Sequence, residues 1–300
     1  MDAHDACIVG TAGTLDDLVR AISPGLSGNR RTDKGANARA CRPFTGFTGR
    51  VSSPDWHLQE GFDVRFEWGT TGTAALAARA GVVAVIDVLR FTTAVEAAVG
   101  RGASVYPYRW RDDSAPAFAA SVGATLAGGS DPSGPSLSPL SLRRLNTGDA
   151  VVLPSPNGST CTAIAAETGA AFVAACLRIP SAVADWLNDS EGPVVVIACG
   201  ERWSDGSLRP CIEDLLGAGA LISALRGSRS PEAESAARAW DAATGSDVAT
   251  WLHSSGSGRE LHARGHGDDV SYAVELDGST VVPVLRDGRF VNDSAVRRGD

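Results

Sequence analysis

Asp87 heads a stretch that continues through Arg90, Thr92 and Thr93. Ser155, Asn157, Gly158, Ser159 and Thr160 fall within six consecutive positions, and Gly200, Glu201 and Arg202 precede the adjacent acids Glu213 and Asp214. Carboxylates are hard oxygen donors that suit Mg2+. Small hydroxyl residues beside a glycine let backbone amides wrap a phosphate. Together the three stretches read as one place where a divalent ion and an oxyanion meet. Asp87, Glu213 and Asp214 would face the metal, and Thr92, Thr93, Asn157, Gly158, Ser159 and Gly200 the anion.

Each stretch follows a short apolar run, which indicates what must position it. Residues 82–86, 150–153 and 194–197 are continuous and β-branched, as parallel strands buried on both faces read. Each run enters its polar turn and then an Ala- and Leu-rich helical stretch. Ligands gather at the carboxyl ends of such strands. The expected fold class is therefore α/β, a three-layer α/β/α arrangement with a largely parallel sheet, or alternatively two α/β subdomains flanking the active-site cleft. Further strands are expected over 63–68, 103–107 and 171–175. Further helices are expected over 73–79, 114–126, 181–187 (capped by Ser181), 212–225 (started by Pro210) and 232–243. Residues 69–72 read as a turn, 128–139 as a mobile Gly/Ser/Pro-rich loop, and 273–275 with 280–285 as a closing hairpin. Residues 1–52 read as a poorly ordered N-terminal extension, which leaves 53–300 as the folded domain.

Plainer readings exist for every turn. Thr93 and Glu96 have capping-box spacing, so Asp87 and the threonines would then serve only a helix start. Residues 155–160 also suit an ordinary β-turn. Acids in a first helical turn, such as Glu213 and Asp214, stabilise the dipole by a few tenths to about 1 kcal/mol without any metal.

Composition removes several classes. With a formal charge of -8, the 300-residue chain lacks the clustered cations that nucleic acid or an anionic membrane would need. Lys34 is the only lysine, and it lies in the polar leader, so Schiff-base chemistry and a Walker lysine drop out. Leu89 stands where a haloacid-dehalogenase-type phosphatase would carry its second aspartate, and Asp205 stands where a cysteine phosphatase loop would place arginine after Cys199. No G-x-G-x-x-G follows a strand. His253, His262 and His266 lack zinc-ligand spacing and read as surface residues. Six cysteines without C-x-x-C pairing fit reduced thiols, and no segment has the order of a signal peptide or membrane span. A cytoplasmic enzyme is the expectation.

The segments 87–93, 155–159, 198–200, 212–219 and 281–283, in this order and spacing, resemble the 2-phosphosulfolactate phosphatase family over about residues 56 to 290. The resemblance implies Mg2+-dependent release of phosphate from 2-phosphosulfolactate in a compact α/β fold. The residues and the resemblance together lead to the expectation that Asp87, Arg90 and Glu213 are catalytic, that Asp87, Glu213 and Asp214 hold Mg2+ or its water, and that Arg90, Thr92, Thr93, Asn157 and Ser159 take phosphate. A substrate carrying phosphate, carboxylate and sulfonate also calls for Arg202 and Arg209, because arginine pairs donors with such oxyanions. Two places depart from the family pattern. Leu137, Leu140 and Ser141 make the loop at 136–141 less polar, and the insert 201–209 is long and rich in Arg and Trp. The partner implied is a small anionic phosphorylated substrate, with a homodimer left open. The rival classes are a phosphatase of another small phosphorylated acid and a non-catalytic binder of anionic metabolites.

Overall fold

A computed structural model describes residues 55–110, 112–131 and 133–293. The extension expected over 1–52 lies outside them, and the described residues fall within one compact unit spanning 53–300. The chain begins β1 (Val64–Trp68), α1 (Gly69–Leu76), β2 (Val82–Ile86), α2 (Phe91–Val99), β3 (Ser104–Tyr108) and α3 (Ser114–Ser121). It continues with β4 (Thr125–Leu126), α4 (Pro139–Leu142), β5 (Ala150–Pro154), α5 (Gly158–Ala166), β6 (Ala171–Ala175) and α6 (Pro180–Asn188). Then come β7 (Val194–Ala198), β8 (Glu201–Arg202), β9 (Leu208–Arg209), α7 (Ile212–Ala224) and α8 (Pro231–Thr244). Three short helices, α9 (Val248–Ser254), α10 (Gly256–Ala263) and α11 (Gly267–Ala273), lead to β10 (Pro283–Arg286) and β11 (Arg289–Asn292).

Nine strands form one sheet in the order β1-β7-β2-β6-β10-β11-β3-β5-β4. Both flanks are parallel, β1-β7-β2-β6 on one side and β3-β5-β4 on the other. The antiparallel hairpin β10–β11 joins them through Val284 opposite Val173 and Phe290 opposite Val105. The fold is α/β with a mostly parallel sheet covered by helices. The two-subdomain alternative is replaced by two parallel half-sheets joined within one sheet.

The central strands read as apolar runs because each side of the sheet has its own core. Val82, Ala84 and Ile86 of β2 enter one core with Val194 and Val196 of β7, while Val83 and Val85 enter the other with Val195 and Ile197. Each fully buried Val or Ile contributes about 1.5–3 kcal/mol relative to exposure. Register then levels the strand ends: Ile86 pairs with both Ala198 and Ala175, and Trp68 with Ala198. Helix α1, which begins at Gly69, and the turns that begin at Asp87, Cys176 and Cys199 therefore start on one edge. Helix α5 leaves β5 in the far half-sheet and packs on α1, β2 and β6, which carries the 155–158 turn to that edge.

Several local expectations change. Helix α1 starts at Gly69, not after a 69–72 turn, and α3 stops at Ser121 so that 125–126 can add an edge strand to β5. Helix α6 starts at Pro180, and Asp277 accepts the Ser181 amide in place of a cap by Ser181 itself. Pro210 precedes α7 without entering it. The hairpin arms lie at 283–286 and 289–292, since Ala273 ends α11. In α2, Thr93 donates to the Val88 carbonyl and Glu96 turns to Arg178 and Tyr272, so no capping box forms.

Candidate active site

Asp87 follows directly on β2 and is 7 % exposed. Its Oδ1 accepts the Phe91 amide and its Oδ2 the Gly158 amide, each at 3.1 Å. This clamps the start of α2 to the start of α5. Gly158 is required at that contact: a Cβ there would lie 2.2 Å from the Phe91 ring and 2.8 Å from Asp87 Oδ2. Asp214, in the first turn of α7, makes a second clamp, accepting the Val88 and Gly200 amides at 2.8 Å each. Gly200 meets it with a φ of +63°, in the left-handed region that favours glycine. The ends of β2, β5 and β7 are thus tied together by two carboxylates.

Glu213 sits next to the second clamp and is 2 % exposed. Helix α7 buries both acids together with Leu216 and Gly219, while Ile212 is exposed. Among the described residues no hydrogen bond or ion pair engages the Glu213 carboxylate. Its oxygens are not fully buried, so they keep contact with solvent and are the group most suited to receive a cation. Glu201 accepts a 2.9 Å bond from Asn157 Nδ2.

The acids perturb one another. Burial pushes the Asp87 carboxyl from 3.8 up to about 7, and the Glu201 and Glu213 charges add to the rise against the lowering by the two amides. Asp214 is raised by burial first and then by Asp87 and Glu213. Glu201 is raised mainly by burial, against the Asn157 hydrogen bond and the Arg209 charge. These mutual effects place Asp87, Glu201, Glu213 and Asp214 in one electrostatic cluster. Desolvation and like charge are the two causes that raise carboxylates at reactive sites.

The remaining expected ligands divide. Asn157 and Arg90 line a cleft of about 200 Å3 with Asp87, Ser155 and Glu201. Arg90 is paired there with Asp269 of α11 through Nη1 only, which leaves its other donors unengaged by protein. Thr92 closes the turn by bonding the Asp87 backbone, Thr93 bonds the Val88 carbonyl, and Ser159 bonds the Leu153 carbonyl at 3.2 Å. All three hydroxyls are buried and committed to backbone. Arg202 donates to the Gly206 carbonyl beside a neighbouring cleft, and Arg209 reaches Ser257 at 3.2 Å while lying 5.7 Å over the Trp203 ring. The arginines therefore do not converge on one anion.

The opposite wall was not anticipated. Ser257, Glu260 and Arg264 of α10 and its end line the same cleft. Asp269, 2 % exposed, takes Arg90, the Ser138 hydroxyl and, at 3.4 Å, His266 Nδ1. His266 is thus part of the cleft surround and not merely a surface residue. His253 and His262 bond each other at 2.7 Å. The one available signal was the acid pair Asp268–Asp269 at a short helix start, which reads equally as dipole stabilisation.

As a donor set, Asp87, Glu201 and Glu213 offer hard oxygens of the kind Mg2+ takes. Asp87 and Asp214 each accept two amide bonds, but Asp87 also lines the cleft, whereas Asp214 does not and suits a supporting role. Among the described residues no three His, Cys, Asp or Glu side chains already converge on one metal position. No helix among them is long and apolar enough to cross a membrane.

The fold and cleft define an α/β protein that concentrates carboxylates and amide donors at the ends of parallel strands. Residues 71–288 match the family model for 2-phosphosulpholactate phosphatase. The 2-phosphosulfolactate phosphatase of Methanothermobacter thermautotrophicus is 30% identical over 73% of this chain and 92% of its own. The probable 2-phosphosulfolactate phosphatases of Carboxydothermus hydrogenoformans and Pseudothermotoga lettingae are 32% and 26% identical, each over 71% of this chain and 90% and 93% of theirs. The chain belongs to the 2-phosphosulfolactate phosphatase family, which places it among the phosphoric monoester hydrolases.

Proposed function

We propose that this chain is a Mg2+-dependent phosphatase that converts 2-phosphosulfolactate, or a similar small phosphorylated hydroxy acid, to the hydroxy acid and inorganic phosphate. The observation that carries the reading is the Glu213 carboxylate, on a nearly buried side chain with no hydrogen bond or ion pair among the described residues, in one electrostatic cluster with Asp87 and Glu201 in a domain of a phosphatase family. Asp87, Glu201 and Glu213 would hold the ion. When bound, Mg2+ would offset phosphoryl charge and lower the pKa of a water.

The chain's own residues do the rest. Asp214 fixes the Val88 and Gly200 amides and so the spacing of the two turns. Asn157 orients Glu201. Arg90, held by Asp269, directs its unengaged donors to an oxyanion in the cleft, which suits its planar fork. Both Asp87 oxygens already accept amide bonds, which lowers their nucleophilicity and favours water over a phospho-aspartate. The water oxygen bonds to phosphorus, the ester bond to the C2 oxygen breaks, and that oxygen leaves with the electron pair and takes up a proton. A cytoplasmic setting fits the four free, buried cysteines among the described residues.

The test is phosphate release from 2-phosphosulfolactate in 18O-labelled water, with Mg2+ and with a chelator. The reading expects release only with Mg2+ and label in the free phosphate. Release unaffected by chelation, or label in the protein after a single turnover, overturns the mechanism. Binding of the ester without any release would favour the non-catalytic alternative.

A further inference from the structure

The 200 Å3 cleft does not end at Arg90. Arg90 and Leu137 also line an adjoining chamber of about 390 Å3, so the two spaces meet at these side chains. Pockets for drug-sized ligands run about 300–1,000 Å3, and the reaction cleft alone lies below that range. Its acids and Arg90 are matched to phosphate, a metal and one carboxylate. The chamber beyond has a different character.

Leu126, Ala127, Leu137, Leu153 and Pro154 supply much of its wall. Among the described lining residues its ionisable groups are Arg90, Asp112 and His266. Arg90 is paired with Asp269 through Nη1 and turns its remaining donors to the carboxylate of the substrate, and Asp112 carries the charge that would repel a second anion. The other candidate cations point elsewhere: Arg264 bonds Glu260 at 2.7 Å, Arg202 the Gly206 carbonyl and Arg209 the Ser257 hydroxyl. A sulfonate placed in the chamber would lose water and gain, among the described residues, no cation that is not already paired, His266 being held by Asp269, which is unfavourable. An apolar group placed there would gain by burial.

We infer that the chamber is a substrate subsite for an apolar substituent, so that the preferred substrate class is the phosphate ester of a 2-hydroxy acid bearing an aryl or branched alkyl group. This rests on the proposed phosphatase activity and names its substrate class. The phosphate lies among Asp87, Glu201 and Glu213, the carboxylate faces Arg90, and the C3 substituent passes Leu137 into the chamber. Leu137 thereby selects at the junction, and Leu126 forms part of the far wall.

The experiment compares kcat/KM for the phosphate esters of lactate, 3-phenyllactate and 3-sulfolactate with the full chain and with Leu126→Arg. Leu126 is half-buried on an edge strand, and thermal melting checks that the variant folds. The wild type is expected to favour the phenyl ester over the methyl ester by about 10-fold or more, the scale on which apolar pockets discriminate, and to favour it over the sulfonate. Leu126→Arg is expected to erase that preference and raise relative turnover of the sulfonate ester. Turnover of the small and sulfonate esters with the phenyl ester poorest overturns the chamber assignment while the phosphatase reading stands. No turnover of any ester overturns the phosphatase reading itself. A folded Leu126→Arg protein with an unchanged preference also overturns the chamber assignment.

Discussion

Replacing Asp87 with asparagine should destroy turnover and yet stabilise the metal-free protein at alkaline pH. The carboxyl is raised from 3.8 to about 7 by burial and by Glu201 and Glu213. Between those values the folded state holds the proton more tightly than the unfolded chain, so stability is greatest below pH 3.8 and falls as pH rises through about 7. That interval corresponds to about 4 kcal/mol lost once Asp87 is ionised. Asparagine removes the charge, but its NH2 cannot accept the second of the two amide bonds, which costs about 1–3 kcal/mol. The net gain at about pH 9 is therefore about 1–3 kcal/mol, or some degrees of Tm at about 2–4 °C per kcal/mol for a domain of this size. At about pH 4 the gain should vanish or reverse, because the wild-type carboxyl is then protonated in the folded state. Thermal melts of both proteins in chelator across this range, with phosphate-release assays alongside, provide the measurement. A Tm difference independent of pH, or an active variant, would refute the reasoning.

Three further outcomes follow from the same contacts. Gly158→Ala should cost several kcal/mol in urea titration and most of the activity, since its Cβ would overlap the Phe91 ring and crowd Asp87. Asp269→Asn should lower Tm, because it strands largely buried Arg90, and in the folded protein should raise KM about 10-fold more than it lowers kcat, because it loosens Arg90 without touching Asp87, Glu201 or Glu213. Arg178→Met should lose about 3–5 kcal/mol of stability by stranding buried Glu96, while the folded fraction keeps wild-type kcat.

What was legible in the sequence was the set of parts buried on two sides. The runs at 82–86, 150–153 and 194–197 read as inner strands, and the turns after them had to share an edge once those strands were parallel. The functions of individual turn residues were less visible. Thr92, Thr93 and Ser159 are small hydroxyl residues whether they bind an anion or close a turn, and here they bond backbone carbonyls. Glu213 and Asp214 are neighbours of one chemical type, but only tertiary packing gives one of them two amide partners and leaves the other without any. Asp269 and the α9–α11 wall were missed because their short helices carry no strong periodicity, and their link to Arg90 spans 179 residues.

The most direct measurement is anomalous diffraction from crystals of the full chain soaked in Mn2+ as a stand-in for Mg2+. The account requires the metal peak to be bounded by oxygens of Asp87, Glu201 and Glu213, with Asp214 still holding its two amides. A peak elsewhere, or a metal contacted by neither Asp87 nor Glu213, would contradict it.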